Sequence, residues 1–172
     1  LAPVSPYGHS KLMTEQMLKD LSLASDLRFA ALRYFNVAGA DPQGRTGQST
    51  PAATHLIKVA CEAACGKRNR LTVFGSDYDT PDGTCVRDFI HVTDLADAHI
   101  KALQHLEGGG DSVTLNCGYG RGFSVRQVIE AVERASGKSL PVEEGPRRDG
   151  DIVSIYADNS RIVDTLDWQP RH

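Results

Sequence analysis

The chain has 172 residues, with 19 lysines and arginines against 22 aspartates and glutamates and a net charge of −3. That length buries one respectable core, so one domain, or a large piece of one, is expected. The mild acidity and the lack of a basic run exclude nucleic acid and anionic membranes as bulk-charge partners. No stretch approaches the roughly 20 apolar residues of a membrane span, and the opening residues do not read as a secretory leader. Cys61, Cys65, Cys85 and Cys117 contain no Cys-x-x-Cys pair. They read as free thiols rather than metal ligands, which fits a reducing cytoplasm.

Ser5 can cap a helix and Pro6 suits its first position, so a helix is predicted from Tyr7 to Leu23 with Met13, Met17, Leu18 and Leu21 on one face. Tyr7 and Lys11 then lie one turn apart. An ammonium beside a phenol stabilises the phenolate, which is a way to make a base of tyrosine. Taken alone, the pair also describes an ordinary helix surface.

Residues 28–36 (RFAALRYFN) read as a strand covered on both faces, and 41–49 as a loop. Thr50-Pro51 is predicted to open a helix that carries Leu56, Ile57, Ala60 and Ala64 and stops at Gly66. Leu71–Phe74 reads as a strand, 75–84 as a polar loop, and Val86–Val92 as extended chain. Thr93-Asp94 starts a helix with Leu95, Ala98, Ala102 and Leu106 on its face, followed by a strand at Val113–Cys117.

Gly118-Tyr119-Gly120-Arg121-Gly122 lacks the Gly-x-Gly-x-x-Gly spacing of a dinucleotide turn and reads as a tight turn. Ser124 and Gln127 form a capping box for a helix that Gly137 ends. Ser154–Ala157 is extended, and Asp158-Asn159 caps a last helix carrying Ile162 and Leu166. The alternation of strand and helix predicts an α/β protein. His9, His91, His99, His105 and His172 have no metal-like arrangement.

Several runs in this order resemble the extended short-chain dehydrogenase/reductase family, in its UDP-glucose 4-epimerase branch. They are Ser5-Pro6-Tyr7-Gly8-His9-Ser10-Lys11-Leu12, Leu32-Arg33-Tyr34-Phe35-Asn36, Thr54-His55-Leu56-Ile57 and Leu71-Thr72-Val73-Phe74-Gly75. The most specific is Asp82-Gly83-Thr84-Cys85-Val86-Arg87-Asp88-Phe89-Ile90-His91-Val92, and Pro146-Arg147-Arg148-Asp149-Gly150-Asp151 closes the series.

The resemblance covers essentially all 172 residues and is to the family's C-terminal half. It implies the C-terminal part of a Rossmann-like fold, in which the end of an NAD-binding domain interleaves with a smaller UDP-sugar-binding domain. The family's glycine-rich turn and its catalytic Ser or Thr lie before the Tyr-Lys helix and are absent from these 172 residues. The sequence also stops near Trp168, short of the family's usual end. A fragment, inactive by itself, is therefore expected.

The resemblance further implies that Tyr7 takes the proton from the sugar 4-hydroxyl while hydride leaves C4 for NAD. Lys11 would assist Tyr7 and hold the nicotinamide ribose. Tyr34 matches a residue beside the nicotinamide ring, with plain aromatic packing as the alternative. Arg87 and Arg148 match diphosphate-binding arginines; for Arg87 the alternative is an internal pair with Asp88 or another aspartate.

Asn36 matches a phosphate and hexose ligand. His55 stands where many relatives carry asparagine, and Leu56 offers an amide at a helix N-terminus. Thr72 and Phe74 match the segment along uracil, with core packing as the alternative for Phe74. Asp151 matches a ribose ligand, or else a loop turn. Ile155 falls where the family limits the C2 substituent.

A UDP-sugar substrate and a homodimer through the Tyr-Lys helix are implied, so Met13, Met17 and Leu21 are interface or core. A 4-epimerase acting on N-acetylhexosamines or pentoses stays open, as does a UDP-sugar-binding remnant without catalysis. The Asp82–Val92 run speaks against a dehydratase or decarboxylase.

Overall fold

The computed structural model describes residues 2–172. In chain order the elements are α1 (Pro6–Ala24), β1 (Ala30–Tyr34), β2 (Asn36–Ala38), α2 (Leu56–Ala64), β3 (Leu71–Phe74), β4 (Val86–Arg87) and β5 (Phe89–His91). They continue as α3 (Val92–Glu107), β6 (Val113–Cys117), β7 (Phe123–Ser124), α4 (Val125–Ser136), β8 (Val142–Gly145), β9 (Ser154–Ile155) and α5 (Ser160–Leu166).

Two apolar cores organise them. In the first, β1 runs parallel to β6 from Ala30 opposite Val113 to Tyr34 opposite Cys117. Ile90, Leu95, Ala98, Leu115, Ile162 and Trp168 are buried together there. In the second, β3 runs parallel to β8 while α2 and α4 bury Ala60, Leu71, Val73, Ile129 and Leu140. Short pairings complete the fold: β2 with β5, against the first core, and β4 between β7 and β9.

The strand predicted over 28–36 divides at Phe35, because Tyr34 pairs with Cys117 whereas Asn36 pairs with Phe89. The extended run 86–92 divides for the same reason. Arg87 lies opposite Ile155 in β4, Phe89 opposite Asn36 in β5, and Val92 already begins α3. The helix expected from Thr50-Pro51 starts instead at Leu56. Ala52 has φ of 54°, a left-handed conformation that no helix can propagate through. The Ser124–Gln127 capping box and the left-handed Gly137 at the end of α4 match expectation.

Helix α1 corrects a different expectation. Of the four apolar residues assigned to one face, Met13, Met17 and Leu21 are exposed at 60, 62 and 52%. The inward stripe is instead Leu12, Glu15, Leu18 and Ser22, with Glu15 the buried member. Glu15 holds α1 to β1 through a two-pronged bond from Arg33, Nε to Oε1 at 2.6 Å and Nη2 to Oε2 at 2.5 Å. Those bonds keep the Glu15 carboxyl below the ordinary carboxylate range, against the opposing effect of burial.

Because the folded pKa is depressed, the pair stabilises the fold above the unfolded carboxylate pKa, and that contribution is lost as pH falls through the folded value. Arg33→Met is expected to cost about 2 kcal/mol near neutral pH in chemical denaturation. The penalty should shrink in acid as pH falls through the lowered Glu15 value and the carboxyl protonates. An equal penalty in acid and near neutral pH would mean that the charge pair is not what fastens α1.

Candidate functional site

Strand β3 alternates, with Leu71 and Val73 facing the second core and Thr72 and Phe74 the outside. Thr72 and Phe74 line a cavity of about 430 Å³ together with Leu56, Cys85, Arg148 and Asp151. Arg148 lies across the aromatic wall, its guanidinium 5.0 Å from the Phe74 ring centroid. It also grips Asp151, Nε to Oδ2 at 3.0 Å and Nη2 to Oδ1 at 3.3 Å. Arg87 reaches the same carboxylate, Nη2 to Oδ1 at 3.7 Å, and donates to the Val86 carbonyl. The internal partner of Arg87 is therefore Asp151, not its neighbour Asp88.

A second cavity of about 320 Å³ adjoins along the start of α2 and is lined by Asn36, Gln48, His55 and Leu56 among others. Leu56 borders both spaces. His55 precedes α2 without capping it, and its Nδ1 bonds the Gln48 side chain at 2.8 Å. The amides of the first helical turn thus keep their anion-binding capacity. Asn36 donates from Nδ2 to the Asp88 carbonyl at 3.3 Å. Ile155 pairs with Arg87, is half-buried and lines neither cavity.

Tyr7 and Lys11 line neither cavity. They share the first turns of α1, which Ser5 caps through a bond from the Gly8 amide at 3.1 Å. Lys11 Nζ lies 5.2 Å from the centroid of the Tyr7 ring, which is 72% exposed. Tyr34, at the end of β1, is half exposed and meets His99 edge-on at 6.3 Å. The structure keeps phenol and ammonium together as one unit, separate from the nucleotide-sized cavity.

Residues 1–118 match the NAD dependent epimerase/dehydratase family. A UDP-glucose 4-epimerase from Azospirillum brasilense is 61% identical over 170 residues, 99% of this chain and 49% of that protein. The chain belongs to this family.

Solved epimerases share the fold of this family member. The UDP-glucose 4-epimerase of Brucella ovis, crystallised with NAD, superposes with a TM-score of 0.93 at 46% identity, covering 99% of this chain and 52% of that one. The UDP-Glc/GlcNAc 4-epimerase of Campylobacter jejuni superposes with a TM-score of 0.77 at 52% identity, over 100% of this chain and 52% of that one. The fold is thus α/β and Rossmann-like, and the chain spans about half the length of the relatives it matches.

The glycines of the chain limit where a dinucleotide's diphosphate could rest. Asp88 is fully buried and accepts from the backbone amides of Tyr119 at 3.1 Å, Gly120 at 3.3 Å and Ala157 at 3.2 Å. A Cβ on Gly118 would stand 2.5 Å from Asp88 Oδ2, so only glycine admits this approach. The amides of Tyr119 and Gly120 are therefore consumed inside the protein.

Sequence reasoning considered Asp88 only as a partner for Arg87 and missed this hub. Its signal was a carboxylate in an apolar strand with a glycine-rich turn downstream. Arg68 and Arg70, which also border the larger cavity, were missed because they stand just before β3 in an ordinary polar turn. Asp88→Ala strands three amides, so it should lower unfolding free energy by at least about 3 kcal/mol. A urea-melt change below about 1 kcal/mol would remove Asp88 as the organising group.

Proposed function

We propose that this chain is the catalytic-base and sugar-nucleotide portion of an NAD-dependent 4-epimerase acting on UDP-hexoses, interconverting UDP-glucose and UDP-galactose. The observation that carries the reading is the convergence of an aromatic wall, a guanidinium and a carboxylate on one cavity, Phe74, Arg148 and Asp151, with Arg87 reaching the same carboxylate from beside it. An aromatic face suits a pyrimidine base, paired arginines suit a diphosphate, and a carboxylate suits vicinal ribose hydroxyls. Thr72 lies along the base edge. Leu56 and His55 at the start of α2, with Asn36, border the adjoining space toward which the diphosphate and hexose extend.

In this reading Tyr7 removes the proton from the sugar 4-hydroxyl and returns it after the 4-keto sugar has turned over. Lys11, one helical turn away, stabilises the phenolate and orients the nicotinamide ribose. Tyr34 flanks the nicotinamide. Bound NAD supplies the hydride acceptor for C4. The first core with α1 is the end of the cofactor domain, and the second core with α2, α4 and β3 is the sugar-nucleotide domain.

The exposed stripe of Met13, Met17 and Leu21 is the homodimer surface, since such a stripe on one helix is poorly left to water. Among the described residues no helix is long and apolar enough to cross a membrane, and a cytoplasmic enzyme agrees with the free cysteines. Ile155 has an intermediate size for a C2 gate, so UDP-N-acetylhexosamines are the next substrates to assay.

Tyr7→Phe in the intact enzyme is expected to lower kcat about 100-fold or more while leaving KM for UDP-galactose within about twofold. A large rise in KM with kcat preserved would assign Tyr7 to binding instead. The exposure of Tyr7 and Lys11 away from the cavity favours a second reading for the isolated 172-residue polypeptide: it binds UDP-sugars without converting them. Incubated alone with NAD and UDP-galactose, it should form no UDP-glucose; measurable turnover would show that these residues suffice.

A further inference from the structure

The arginine that suits a diphosphate lies on the two surfaces that suit the nucleoside. Arg148 covers Phe74 at 5.0 Å and holds both carboxylate oxygens of Asp151. A base cannot stack on Phe74, nor a ribose reach Asp151, while that guanidinium stays. The contact is built in by a short turn, because the Asp151 amide bonds the Arg148 carbonyl at 3.3 Å and Gly150 adopts φ of 79°. The preceding residue is fixed separately: Arg147 stacks on Tyr78 at 4.3 Å and binds Asp77 at 2.7 Å. Only the Arg148 side chain is thus free to swing.

We propose that Arg148 is a ligand-displaced plug and Asp151 an internal stand-in for the diphosphate, so that the anion opens the nucleoside half of the site. A diphosphate competes with Asp151 for Arg148 and Arg87. Once it draws Arg148 away, the Phe74 face and the Asp151 carboxylate become available together. The site therefore couples its two halves and favours nucleoside diphosphates over nucleosides by more than the added contacts supply. Arg148 is half exposed, with 58% of its side chain accessible, so the coupling is modest in size. The inference rests on the nucleotide reading above and adds to it an order of events and a source of specificity.

Linkage makes the coupling measurable without mutation, because an anion that frees the nucleoside surface must tighten nucleoside binding. Uridine affinity is measured by calorimetry on the intact wild-type protein, with and without saturating inorganic pyrophosphate, and UDP affinity is measured alongside. Pyrophosphate is expected to tighten uridine about fivefold. Arg148→Ala should bind uridine about fivefold more tightly than wild type, show no pyrophosphate effect, and bind UDP more weakly. Wild-type protein that binds UDP but holds uridine equally with and without pyrophosphate would overturn the plug and leave the nucleotide reading intact. Wild-type protein that binds no UDP would overturn both.

Discussion

A carboxylate sealed from water has to be answered by donors, and the way Asp88 is answered sets the geometry around it. Its oxygens take the amides of Tyr119, Gly120 and Ala157, while its own amide bonds the Ile155 carbonyl at 3.2 Å. One side chain thus ties the turn after β6 and the segment after β9 to the link between β4 and β5. Arg87 precedes it and Ile155 lies across from that arginine, so both residues inherit their positions from a buried neighbour.

A second sealed carboxylate, close by, repeats the logic. Asp94 accepts from the Tyr119 hydroxyl at 2.6 Å and from the backbone amides of Arg171 and His172, both at 3.1 Å. Burial acts to raise this carboxyl, and those bonds outweigh it and hold it below its ordinary range. Tyr119 spans the two centres, giving its amide to Asp88 and its hydroxyl to Asp94. Burial, with Asp94 beside it, drives the Tyr119 phenol well above its usual range, so it stays a neutral donor. The chain's closing residues are thereby clamped onto the start of α3, and His172 stacks on His91 with ring centres 4.0 Å apart.

Local chemistry made parts of the fold legible and left others silent. Leu71–Phe74 and Val113–Cys117 were read to the residue because turns bound short apolar runs, and α4 because its cap and its terminating glycine are both written in the chain. The runs around Phe35 and Asp88 were read too long, since composition carries no mark where a strand changes partners. Strand β8 escaped because Val142-Glu143-Glu144-Gly145 is largely exposed and lacks an apolar alternation. The types of residue in the candidate site came from resemblance. That Arg148 would turn back onto Asp151 and Phe74 depends on the backbone at Gly150, which residue identity alone does not disclose.

The chain has a single tryptophan. Trp168 is fully buried in the first core and donates from Nε1 to the Asp94 carbonyl at 3.1 Å. Its emission therefore reports the polarity of one core only, and the α2–α4 core around Leu71 and Ile129 is optically dark. Any melting of the second core that leaves the first intact would pass unseen in intrinsic fluorescence while appearing in circular dichroism. A mismatch between the two optical transitions would then be a direct reading of how independently the two cores fold.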